Sequence, residues 1–204
     1  MKKIMFSDAF QLTQAVLDGR KTQTRRISYD FRKHASNKVG KCVLLGNNNL
    51  TYKDGDVQVL DELRSPQYQV GEVVAIAQAY KDIACGALYD DLKEIVRNRK
   101  PETLAGWTNK MFVRADLMPH HIRISDVRVE RLQDISDEDC IKEGIDKWTA
   151  QGKRYYGFFD NSKGVFSNHR TPRDAYAALI DRISGKGTWE SNSYVFVYDF
   201  ELVK

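Results

Sequence analysis

Lys21 and Thr24 stand three residues apart in the run Gly19-Arg20-Lys21-Thr22-Gln23-Thr24-Arg25-Arg26. An amine and a hydroxyl held on one short turn can form a base and nucleophile pair, and the guanidiniums of Arg25 and Arg26 can hold an anion or the edge of a base. A run with four cations in eight residues also reads as a solvated basic turn, so charge alone leaves both readings open.

Other chemistries find less support. Cys42, Cys85 and Cys140 are far apart, matching neither a disulfide framework nor the paired spacing of a zinc site, and they read as reduced structural thiols. His120 and His121 are adjacent, and neighbours on an extended segment point to opposite faces, so they do not chelate one ion together. Neither a metal nor a cofactor is expected. No apolar run approaches the ~20 residues of a membrane-spanning helix. The apolar part of residues 1–6 is too short for a signal peptide, and the expectation is a soluble, cytoplasmic protein without a membrane partner.

The net charge of +4 is unevenly spread. Residues 1–50 carry ten Lys and Arg against three Asp, a balance of +7, and the remaining 154 residues carry 22 against 25, a balance of −3. A basic face around Lys21 favours phosphate-bearing partners.

The elements that must position this stretch follow from patterning. Residues 2–6 read as a strand, and Ser7 or Asp8 as the cap of a helix carrying Ala9, Leu12, Val16 and Leu17. Gly19 releases the chain from that helix. A polar loop over 28–38, a strand over 39–45 and a hairpin turning at Asp54-Gly55 come next. Residues 71–80 read as a central strand bearing Gln78 on an otherwise apolar face, as a core amide or a site residue. A helix is expected over 86–100, and strands over 110–115 and 121–132. The apolar parity of the last changes between Ile124 and Val127, which predicts a bulge at Ser125-Asp126. Ser136 opens a capped helix closed by Gly144. Residues 146–170 interleave aromatic rings with Lys and Arg, either to stack bases or to pack on the core. Thr171-Pro172 starts another helix with Tyr176, Leu179, Ile180 and Ile183 on one face, and 194–202 is the strongest strand. Strands with scattered helices, and no Gly-rich phosphate loop, argue for an α+β fold with a small mixed β-barrel.

Several segments together resemble one family. They are Gly19-x-Lys21-Thr22-x-Thr24-Arg25-Arg26, the strand opened by Gly71-Glu72, the run from Val127 to Ile135 leading into Glu143-Gly144-Ile145, and the terminal strand between Trp189 and Phe200. In that order they resemble an ASCH-domain protein of the PUA-like superfamily, in its phage-associated branch. The likeness spans nearly all of 1–204 as a single domain, with insertions at 47–63 and 81–109.

The resemblance implies a PUA-like barrel with flanking helices and a cleft for RNA, a nucleotide or a modified nucleoside. Lys21, Thr24, Arg25, Arg26, Gln78 and Asn192 are the implied ligand-binding residues, with His120 and His121 as further candidates to line the cleft. One branch of the family is an amidohydrolase that removes the acetyl group of 4-acetylcytidine with a lysine, a threonine and a glutamate. Lys21 and Thr24 match the first two. Where the family's strand carries Arg-Glu, this chain has Ala77 and Gln78, and an amide cannot exchange a proton. Glu72 lies roughly 20 Å along the strand from Gln78 and cannot substitute, so the hydrolase is impaired or absent unless another acid from a loop fills the role. Binding of RNA or a nucleotide is the first functional expectation, amidohydrolysis the second, and a phage or mobile-element accessory role with a protein partner the third.

Overall fold

The computed structural model describes residues 1–27, 42–44, 50–52, 66–97 and 100–203. In chain order the strands are β1 (Lys3–Ile4), β2 (Gln23–Ile27), β3 (Cys42–Leu44), β4 (Leu50–Tyr52), β5 (Val73–Ile76), β6 (His121–Arg131), β7 (Asp146–Ala150), β8 (Lys153–Gly157), β9 (Phe159–Asp160), β10 (Val165–Phe166) and β11 (Tyr194–Val203). The α-helices are α1 (Leu12–Leu17), α2 (Tyr80–Ile83), α3 (Gly86–Ile95), α4 (Asp137–Lys142) and α5 (Pro172–Ser184). This is a mixed α+β fold.

The long antiparallel pair β6–β11 is the spine of the main sheet, whose order runs β1-β5-β6-β11-β2. β5 and β3 share the other edge of β6, and β4 pairs β3. Val195 and Val197 on one face of β11 and Phe196, Tyr198 and Phe200 on the other are all buried, because helices and loops cover both sides of this strand. The expected bulge is present. The register of β6 against β11 passes from Asp126↔Asp199 to Ile124↔Phe200, leaving Ser125 as the extra residue. That residue keeps Ile122, Ile124, Val127 and Val129 all in the core despite their change of parity.

The barrel expectation needs correction. Among the described residues no ladder joins β2 to β1, so the sheet remains open between its two ends. β1 is only two residues long, and the chain beyond it is bridged to β2 by a side chain: an Arg26 guanidinium N–H donates to Met5 O at 2.6 Å. The strand expected over 110–115 is also corrected. Two 3-10 turns, Lys110–Phe112 and Ala115–Leu117, stand there, the first capped by Asn109 accepting from Met111 N–H. The expected strand over 71–80 ends at Ile76, and Tyr80 begins α2. With α3 and the segment after it, α2 forms a small satellite core of Tyr80, Leu92, Val113 and Met118 against Ala75 and Ala77. The loop over 28–38, the turn at Asp54-Gly55 and most of the 47–63 insertion lie outside the described residues.

Residues 146–170 fold into two hairpins, β7–β8 and β9–β10. Their rings mostly contact one another. Trp148 stacks on its cross-strand partner Tyr155 at 6.2 Å, Phe166 packs against Trp148 and Phe159, and the Arg170 guanidinium sits 4.5 Å from the Tyr155 ring centroid. Tyr155 is thereby engaged by a ring and a cation of the protein itself.

Two capped helices hold the sheet's flank. The Thr171 hydroxyl accepts from Asp174 N–H at 3.1 Å with Pro172 at the first helical position, and the Ser136 hydroxyl accepts from Asp139 N–H at 3.1 Å. Because α4 carries Asp139 and leads directly to Glu143, its start sets where those carboxylates lie. Ser136→Ala is expected to cost about 1 kcal/mol. A thermal melt should register this as a fall in Tm of about 2–4 °C.

Candidate functional site

β2 presents its residues alternately to two sides of the sheet. Gln23 and Arg25 lie opposite Asp199 and Val197 of β11, while Thr24 and Arg26 lie opposite Tyr198 and Phe196. Gly19, at φ +73°, turns the chain out of α1, and Thr22 N–H is then fastened to Lys142 O at 2.9 Å. This places Lys21 against the end of α4.

There its ammonium is 2% exposed and donates to three acceptors: Glu143 Oε2 at 2.6 Å, Glu143 O at 2.7 Å and Gln23 O at 2.8 Å. An ammonium has three protons, and all are used. Gly144 turns the chain beside this contact. It adopts φ +100°, and a Cβ there would stand 3.1 Å from Leu12 Cδ2 and 3.5 Å from Lys21 Cδ.

Arg25, with a fully buried side chain, meets Glu130 at 3.0 Å, Glu143 at 3.3 Å and Asp139 at 3.4 Å. Gln23 completes the cluster, accepting from Arg25 and donating to Asp199 Oδ1 at 2.6 Å. Arg128 is bound to Asp199 and Glu130 at its edge. Burial lowers the Lys21 ammonium below its ordinary pKa, with Glu143 opposing. Burial also works against the Arg25 charge, but the neighbouring Glu143 and Glu130 carboxylates help to hold its pKa above the usual value.

Above this cluster a cavity of about 510 Å³ opens in the seam between β2 and the chain following β1. Lys21, Thr24, Arg25, Arg26 and Glu143 form its polar wall, with Met5, Phe6 and Ser7 along the β1 side. Tyr176, Leu179, Ile180 and Ile183 of α5 supply the other wall. Burial raises the Tyr176 phenol well above its ordinary pKa, so it stays neutral and able to donate. Ile183, expected from its spacing to be buried, is 43% exposed and lines the cavity.

Among the described residues Lys21 and Arg25 face carboxylates and Arg26 faces none. The Arg26 guanidinium lies 5.7 Å from the Phe6 ring centroid, and its Nε, like that of Arg25, is buried without a partner.

The residues singled out in the sequence thus divide. Lys21, Thr24, Arg25 and Arg26 converge on one cavity, and Gln78 and Asn192 do not line it. Gln78 follows β5, with its backbone N–H on Met118 Sδ and its side-chain oxygen buried and unpartnered. Asn192, at φ +42°, accepts from Gln133 N–H at 2.9 Å and serves a turn before β11. His120 and His121 stand at the start of β6, outside the lining.

Glu143 and Tyr176 were missed as site residues. For Glu143 the available signal was the Gly after it, which marks a left-handed turn able to present the preceding residue. For Tyr176 there was only a place on an apolar helical face. No family model, curated protein or solved structure matches this chain. Among the described residues no helix is long and apolar enough to cross a membrane, and no cluster of His, Cys, Asp and Glu could hold a metal ion.

Removing the carboxylate of a buried ion pair strands the cation, so Glu143→Ala should cost about 3–5 kcal/mol, whereas the double variant Lys21→Met/Glu143→Leu should recover much of that loss. Urea unfolding measures both. Because the folded-state pKa of Lys21 is lowered, the unfolded chain binds more protons in the window just below the ordinary lysine value of 10.5. Its contribution to stability should therefore rise with pH through that window, and the rise should vanish in Lys21→Met.

Proposed function

We propose that the protein binds a nucleotide-sized ligand, either a unit of RNA, a nucleotide or a modified nucleoside, in the cavity between β2 and α5, as a PUA-like module of the ASCH type would. The observation that carries this reading is the division of labour among the cavity's three cations. Lys21 and Arg25 are engaged with buried carboxylates, while Arg26 faces none among the described residues and has most of its five N–H donors uncommitted. A phosphate or base edge would meet Arg26 and the Thr24 hydroxyl on one side. The apolar wall of Leu179, Ile180 and Ile183 would take the face of a base on the other. The volume falls within the ~300–1,000 Å³ of ordinary small-molecule sites.

Equilibrium binding of nucleotides and short single-stranded RNA tests this directly. Affinity should fall as salt rises, through release of counterions, and should drop about tenfold in Arg26→Ala. Binding that ignores both salt and Arg26 would remove the reading.

One observation favours amidohydrolysis as the second reading. The acid missing at Gln78 has a replacement in Glu143, which shares the cavity with Lys21 and Thr24. The lowered pKa of Lys21 raises the fraction able to take the Thr24 proton. The alkoxide would then attack the acyl carbonyl, and proton delivery to the leaving nitrogen would release the nucleoside before water cleaves the Thr24 ester. In this reading 4-acetylcytidine yields cytidine, and Thr24→Val lowers the rate at least ~10²-fold. No turnover by the wild type, or equal turnover by Thr24→Val, rejects it.

A further inference from the structure

A second cavity, of about 530 Å³, lies beside the first, and Met5, Arg26 and Gln67 line both. Arg26 is thus a shared wall. Beyond it the second cavity is lined by Lys2, Lys3, Tyr68, Val113 and Ala115, with no carboxylate among the described lining residues. Lys3 commits two of its three protons there, donating to Met111 O at 2.7 Å and Val113 O at 2.6 Å, which ties it to the floor. The Lys2 ammonium is different. Its side chain is 49% exposed, it is shared between Gln67 O and Glu72, and it lies 6.0 Å from the Tyr68 ring centroid. The sequence of features along the seam is therefore a half-apolar cavity, a guanidinium with spare donors, and a second basic cavity with an aromatic side chain in its wall.

We infer that the seam holds a phosphodiester-linked chain of at least two nucleotides, with one nucleoside in the cavity against α5, the linking phosphate on Arg26, and the next nucleotide in the cavity of Lys2 and Tyr68. The inference rests on the binding function proposed above and narrows its ligand from a free nucleoside to a strand. Two adjoining cavities joined at one guanidinium match the alternation of bases and phosphates in a single strand. A lone nucleoside would leave the Lys2 cavity empty and make no ionic contact with Arg26. Groove-like binding of this kind combines phosphate contacts with side-chain contacts to successive bases.

The test is a ligand-length series on the full chain: the four ribonucleosides, their 3′- and 5′-monophosphates, and mixed-sequence tetranucleotides of RNA and of DNA. At least one tetranucleotide should bind about tenfold tighter than any monophosphate, and its affinity should fall more steeply with salt, by about 0.7 in log–log slope for each added phosphate contact. Arg26→Ala should bring the ratio of tetranucleotide to monophosphate affinity down to about one, and Lys2→Ala should shrink it severalfold. Lys2 is exposed, so its variant should fold. Monophosphates that bind as tightly as tetranucleotides, with equal salt slopes, would overturn the strand while leaving the nucleotide site intact. A ratio unchanged in both variants would also overturn it. Absence of binding by every member of the series would remove the binding function itself.

Discussion

The architecture around β2 depends on one constraint: two cations of the strand region, Lys21 and Arg25, are taken out of water and must be matched there. Desolvating an ion costs several kcal/mol, and it is tolerated only where carboxylates or carbonyls stand against the charge. Glu143 does so for both side chains at once, while Glu130 and Asp139 hold the far side of the guanidinium. These groups come from β2 and the residues before it, from β6, and from α4 with the residue that follows it, elements distant in sequence, so the charge match doubles as a positional lock. α4 cannot move away from the sheet without exposing a buried carboxylate to an unpaired state.

The same lock decides which charge is left without a carboxylate among the described residues. Alternation along β2 turns Gln23 and Arg25 toward the carboxylates, and Thr24 and Arg26 toward the seam where the sheet fails to close. Had Arg26 stood one position earlier, it would have faced the acidic cluster. The open edge near β1 is what gives Arg26 this reach, because a closed ladder would occupy the backbone beside Met5 that its side chain now meets.

Much of the framework was readable from local pattern. The bulge at Ser125, the caps at Ser136 and Thr171, and the left-handed residues Gly19 and Gly144 each follow from a few neighbouring residues, and each is present. What escaped was set by tertiary context. Residues 110–115 have the composition of a strand, but their backbone groups bond within turns and to Lys3. The gathering of Lys21, Thr24, Arg25 and Arg26 was legible because they are adjacent in the chain. The carboxylate that meets Lys21 lies 122 residues away, and no periodicity links the two. The sheet's failure to close was equally hidden, since strand content is written in the sequence and ladder closure is not.

The order of the strands has a kinetic consequence. β2 is made early, yet the strand it pairs with is β11, so that Thr24 and Tyr198 meet only after the intervening chain has been organised. Closing so long a loop carries an entropic cost before any contact repays it, and non-local pairings of this kind slow folding. Until β11 arrives, β2 has neither its backbone partner nor the Asp199 carboxylate that anchors Gln23. The wall that β2 gives the cavity therefore depends on a ladder closed between the two ends of the chain.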